Sequence, residues 1–162
     1  HAREPVLAVL KVVNLTIVDD EIQSFEFTEE KRLVTVGRAT TTDNLDQPFL
    51  SIQFNSTVIE SEVKTRGRKK KPAPQPKDVC ISKKHCSVMF DPISKSFVLL
   101  NYGKNGCYIN DTLLVSNVGD VSSVAQLKHN DTIRLANARS PVYLQLDIVD
   151  EELRDLIGTR LM

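Results

Sequence analysis

The sequence has no apolar run approaching the roughly 20 residues that a membrane-spanning helix requires, and no apolar core of a secretory leader opens it. No membrane partner is expected on that ground. The first residue is His1 and not Met, so the chain is expected to be a piece of a longer protein. Cysteine is sparse and odd in number: Cys80, Cys86 and Cys107 do not suit a disulfide framework and point to a reducing compartment. Cys80, His85 and Cys86 stand close together, yet a structural zinc site takes four ligands, usually in paired spacings, and no fourth follows at such a distance. No metal and no cofactor are expected. Net charge is missing too, with 21 basic residues against 21 acidic ones.

That balance conceals a separation of charge. Between Lys64 and Lys77 lie seven basic residues (Lys64, Arg66, Arg68, Lys69, Lys70, Lys71 and Lys77) and no acidic one. The rest of the chain holds the other 14 against all 21 acidic residues, a net charge of −7. An acidic body therefore carries a cationic strip. In other respects 162 residues at 41% hydrophobic and 26% charged suit one globular domain with one core.

Most of the sequence reads as short strands. Val6–Val13 is an aliphatic, β-branched run; Ile22, Phe25 and Phe27 fall in a second strand, Arg32–Val36 in a third, and Phe49–Phe54 in a loosely alternating fourth. Cys86–Phe90 and Ser96–Leu100 flank Asp91-Pro-Ile-Ser-Lys95, whose Asp-Pro start and polar residues suit a hairpin loop. Gly106–Ile109, Asp131–Leu135 and Val142–Val149 complete the series. Strands at about ten-residue spacing with turn signals between them predict an all-β sandwich. The tail differs: Asp150–Ile157 begins with acidic residues and places Leu153, Leu156 and Ile157 at i, i+3, i+4, which predicts a short C-terminal helix packed by that face.

Residues 55–77 interrupt the pattern. Arg66-Gly67-Arg68 leads into Lys69, Lys70 and Lys71 and then Pro72-Ala-Pro-Gln-Pro76. Like-charge repulsion and three prolines in five residues predict a mobile, exposed insertion inside a single domain spanning 1–162. Neither side of it holds enough strands to stand alone.

Four loop segments carry chemistry. Gly37-Arg38 ends the third strand, Ser82-Lys-Lys-His85 follows the basic strip, Asn105-Gly106 precedes Tyr108, and Leu127-Lys-His-Asn-Asp131 leads into Thr132-Ile-Arg-Leu135. Each has a plain reading alone: a surface arginine, a turn hydroxyl, a buried histidine, a common turn dipeptide. Ser82 lies in no G-x-S-x-G frame, so a hydrolase reading has no elbow to rest on, and no enzyme is expected.

Together and in this order the segments resemble the GR, SxxH, NG and LxxGD pattern of the forkhead-associated (FHA) family, from about Val6 to Val149. The departures are Asn130 in place of the usual Gly, which a turn tolerates because Asn enters the left-handed region readily, and a longer loop before Ser82. The resemblance implies an FHA-type antiparallel β-sandwich of about 10–11 strands that binds a phosphothreonine-containing protein and no small-molecule substrate. It implies Arg38 and Ser82 as phosphate ligands, Asn105 as a clamp on the ligand backbone, and His85 as the support beneath the loop, with Gly37 and Gly106 shaping the turns. Lys83 and Lys104 would add charge. The chemistry agrees, because a phosphate of about −1.5 to −2 charges wants a guanidinium fork and a hydroxyl, and an amide pairs both groups of a peptide unit.

The stretch Thr65-Arg66-Gly67-Arg68-Lys69-Lys70-Lys71-Pro72 resembles an AT-hook, with Lys69 where that motif has Pro. An Arg-Gly-Arg core suits the narrow minor groove of A·T-rich DNA, while the same run also reads as a nuclear localisation signal or a solvated patch. Ile81-Ser-Lys-Lys-His-Cys86 with Leu99-Leu-Asn-Tyr102 is similar to the FHA domain of PHD-finger, AT-hook-containing corepressor proteins. That similarity implies a nuclear location and chromatin corepressor partners; the alternatives to phosphothreonine binding are a DNA-binding element that uses the basic loop 64–77 and a domain of this fold that binds protein without phosphate.

Overall fold

The computed structural model describes residues 4–14, 23–38, 48–52, 81–114, 124–140 and 142–159. The expected insertion at 55–77, with Arg66, Gly67, Arg68, Lys69, Lys70 and Lys71, lies outside the described residues, as do Ile22, Phe54 and Cys80. Strand β1 is Ala8–Asn14, β2 Ser24–Phe27, β3 Leu33–Gly37, β4 Phe49–Ser51, β5 Cys86–Asp91 and β6 Ser96–Asn101. They are followed by β7 (Cys107–Ile109), β8 (Thr112–Leu114), β9 (Val124–Leu127), β10 (Thr132–Leu135), β11 (Val142–Ile148) and helix α1 (Glu151–Ile157).

Alternation decides which side of each strand faces in. Ala8, Leu10 and Val12 of β1 and Leu144, Leu146 and Ile148 of β11 are buried, and the residues between them are not. These strands sit at the middle of a six-stranded sheet ordered β2-β1-β11-β10-β7-β8. The second sheet runs β4-β3-β5-β6-β9 and contributes Val34, Val36, Val88, Phe90, Phe97 and Leu99 to the same core. Phe25 and Phe27 of the first sheet meet Phe97 and Phe90 of the second in a chain of aromatic contacts with centroids 4.8, 5.4 and 5.0 Å apart. Each fully buried phenylalanine contributes about 1.5–3 kcal/mol by transfer from water, so this row fastens the two layers.

The sandwich expected from the sequence is thus what forms, with adjustments. One pair, β3 with β4, is parallel, Val36 opposite Leu50, whereas an antiparallel arrangement is expected; the Thr35 amide donates to the Pro48 carbonyl and the Ile52 amide to the Gly37 carbonyl, which fixes the parallel register. Strands β8 and β9 were not legible, being three and four residues long at sheet edges with mostly exposed positions. Helix α1 is present, with Asp150 as N-cap accepting from the Leu153 amide at 3.0 Å. Its packed face is narrower than expected: Leu153 is buried and Ile157 lies against the core, but Leu156 is 66% exposed. In a helix of two turns, the i, i+4 row alone reaches the sandwich.

Candidate functional site

The β3 end, the segment 81–85 and the β6–β7 connection are brought to one end of the sandwich by backbone hydrogen bonds. The Arg38 amide donates to the Ser82 carbonyl (3.2 Å), the His85 amide to Val36 (2.8 Å), and the Ile52 amide to Gly37 (2.8 Å). The amides of Tyr102 and Gly103 both donate to the His85 carbonyl, at 2.8 and 2.9 Å. Glycine is needed where these chains touch. A Cβ on Gly37 would stand 2.0 Å from the Lys83 carbonyl oxygen, and one on Gly103 2.6 Å from the His85 ring.

His85 is fully buried and fastens two of the loops by its ring. Nδ1 accepts the Ser82 amide at 3.0 Å, which leaves the ring proton on Nε2 to be donated to the Gly106 carbonyl at 2.7 Å. One rigid side chain therefore sets the spacing between Ser82 and Asn105-Gly106. Gly106 takes φ 81, the left-handed turn that glycine enters without strain, and its carbonyl also accepts the Ala136 amide at 2.8 Å. His85 is the residue expected to support the loop from beneath, and this is where the structure places it.

Above it, Arg38 is half-buried and its Nε donates to the Ile81 carbonyl at 2.7 Å. That bond fixes the plane of the guanidinium and uses one of its five N–H groups. Ser82 is half-buried, with its amide turned to His85 and its carbonyl to Arg38. Lys83, Lys84, Lys104 and Asn105 are exposed on the two loops that His85 joins. All the expected phosphopeptide residues, Arg38, Ser82, Lys83, Lys104 and Asn105, thus lie on loops at one end. A guanidinium fork, a hydroxyl, an amide and several ammonium groups together suit an anion attached to a peptide.

Two supports were missed by sequence reasoning. Asn101, buried at the end of β6, donates to the Gly103 carbonyl at 3.0 Å and accepts from the Cys107 thiol at 3.3 Å. Its signal was an amide closing an otherwise apolar strand; Gly103 gave none beyond being a glycine. Beneath them lie the buried thiols of Cys86 and Cys107. The Cys107 thiol is pulled down to about 6, first by its bond with Cys86 and, against burial, also by His85. The same bond, with burial, holds Cys86 well above the usual thiol range.

The fourth motif is structural. Asp131 is fully buried; its carboxylate accepts the Lys128 amide at 2.8 Å and the Asn110 side-chain amide at 3.1 Å. Asn110 in turn accepts from the Thr132 amide and hydroxyl, both at 3.2 Å. Asn130 adopts φ 70, the conformation anticipated for Asn in a glycine position.

The FHA domain model matches residues 64–136, a stretch that includes Ser82, His85 and Asn105 but not Gly37-Arg38. The FHA1 domain of yeast Rad53 superposes with a TM-score of 0.53 at 14% identity, covering 100% of this chain and 91% of that one. An engineered FHA with a Myc-pTBD peptide gives 0.51 at 14% identity, covering 94% of this chain and 99% of the other. The FHA-1 domain of Mycobacterium tuberculosis Rv1747 gives 0.48 at 17% identity, covering 88% and 98%. No curated protein matches the sequence. The fold is that of FHA domains, and the sequence match to the FHA domain model spans residues 64–136.

Proposed function

We propose that the chain is a phosphothreonine-dependent protein-binding module, without catalysis of its own. The observation that carries this reading is the His85 clamp, which holds the Ser82 loop beside Asn105-Gly106 while Arg38 is braced on Ile81. The remaining N–H groups of Arg38 and the Ser82 hydroxyl meet the phosphate oxygens, and Lys83 and Lys104 add charge. The Asn105 amide pairs with the ligand's backbone, reading an extended peptide and not merely an anion. Preorganisation matters, since loops already fixed lose little entropy when the ligand docks. Screening a phosphothreonine peptide library against its unphosphorylated twin tests the reading; equal capture of both sets would end it.

A second reading concerns Arg66-Gly67-Arg68 and Lys69, Lys70 and Lys71, whose spacing and charge support contact with A·T-rich DNA. With the corepressor-like residues Ile81–Cys86, it supports a nuclear chromatin subunit with corepressor partners. Titration of A·T-rich and G·C-rich duplexes with the full chain tests it. Preference for A·T with a steep loss in salt is expected, and no binding at low salt contradicts it.

A further inference from the structure

The cations at the ligand end outnumber what one phosphate needs. Arg38, Lys83, Lys84 and Lys104 lie on three segments joined by the Arg38–Ser82 backbone bond and the two bonds of the His85 ring. The three lysines are exposed, and among the described residues none is paired with a carboxylate. The ion pairs there are Lys11 with Asp147 (3.5 Å) and His129 with Asp147 (3.7 Å), neither of which involves a residue of these loops. The four unit charges on these loops thus exceed the roughly −1.5 to −2 charges of one phosphate group. Their mutual repulsion is tolerable in water, but it leaves a positive field of about two charges around a bound phosphothreonine.

From this excess we infer that the preferred ligand is a phosphothreonine set among acidic or further phosphorylated residues, recognised by Lys83, Lys84 and Lys104 as a group. The inference rests on the phosphothreonine reading and names the class of peptide that this site selects. The lysines bracket the site: Lys83 and Lys84 directly follow Ser82, and Lys104 directly precedes Asn105. A ligand gripped by Ser82 and Asn105 passes both. Lysine suits this task, because a flexible stem carrying a point charge accepts carboxylates at several positions, whereas Arg38 with its braced fork is fitted to one. Exposed pairs of this kind are individually weak and screened by salt, so the selectivity is graded and ionic-strength dependent.

The test is calorimetry of the full chain with four peptides of one length. One carries phosphothreonine with three Asp or Glu residues within three positions of it, one has Ala there, one has Lys there, and the last is the acidic peptide without phosphate. At about 50 mM salt the acidic phosphopeptide is expected to bind roughly tenfold more tightly than the Ala one and more tightly still than the Lys one, a gap that closes towards 0.5 M salt. The K84Q variant, whose change is at the surface and outside the residues assigned to the phosphate, is expected to narrow that gap while still telling phosphorylated from plain peptide. If phosphate is required but flanking charge alters affinity less than twofold, the inference falls and the phosphothreonine reading stands. If the acidic peptide without phosphate binds as tightly as its phosphorylated twin, both fall.

Discussion

His85 is the residue on which the ligand end depends, because its ring holds two loops that no shared strand connects. Replacing it by Ala removes two buried hydrogen bonds, leaves the Ser82 amide without its partner and the Gly106 carbonyl with the Ala136 amide alone, and opens a void beside Gly103. A cost of about 2–4 kcal/mol is expected, seen as a melting temperature lower by roughly 5–15 °C. Asn105→Ala, at an exposed position, is expected to cost less than about 1 kcal/mol while weakening peptide binding. Equal melting losses for the two variants would show that this division between support and contact is wrong. Motif order marks His85, Ser82, Arg38 and Asn105 in the sequence as candidates. It did not reveal Asn101 or Gly103, since a buried amide at a strand end and a close approach to an imidazole ring exist only once the chain is folded.

Among the elements, those with long inward-facing runs were legible and those at the sheet edges were not. Strands β1, β6 and β11 bury alternate residues over six positions, and β5 buries Cys86, Val88 and Phe90 with Ser87 besides, runs that a sequence displays directly. Strand β8 has no buried residue and β9 only Leu127, so their pairing with β7 and β6 depends on backbone bonds that carry no sequence signal. Helix α1 was legible in place but not in facing. Leu153→Ala is expected to destabilise by about 2–3 kcal/mol, whereas Leu156→Ala should stay within about 0.5 kcal/mol, as denaturant melts of the two variants would show. Similar losses would mean that Leu156 packs after all.

The hairpin joining β5 and β6 makes a pH-dependent claim. The Asp91 carboxylate accepts the Ser94 hydroxyl at 2.8 Å and the Ile93 amide at 3.0 Å, and these bonds, the hydroxyl first, hold its pKa below the usual carboxylate range. A folded pKa lower than the unfolded one contributes stability above the unfolded value, near 4, and that contribution is lost as pH falls through the folded value. Asp91→Ala is therefore expected to melt below the parent at pH 7 and to converge with it under strong acid. A deficit that stays constant across that range would contradict the assignment.

At the scale of the whole molecule, the two-layer core presents these connections at one end, and in the proposed function the charges there select the ligand. The central claim is that Arg38, braced by Ile81, grips a phosphate on threonine while the Ser82 and Asn105 loops hold the peptide. Calorimetric titration of one threonine peptide, phosphorylated and plain, into the parent and Arg38→Ala proteins tests it most directly. The parent is expected to prefer the phosphorylated form strongly, and Arg38→Ala to lose about 2–3 kcal/mol, roughly 30- to 150-fold in affinity, for that form alone. Equal affinity of the parent for both peptides, or an Arg38→Ala protein that binds the phosphorylated one as tightly as the parent, would contradict it.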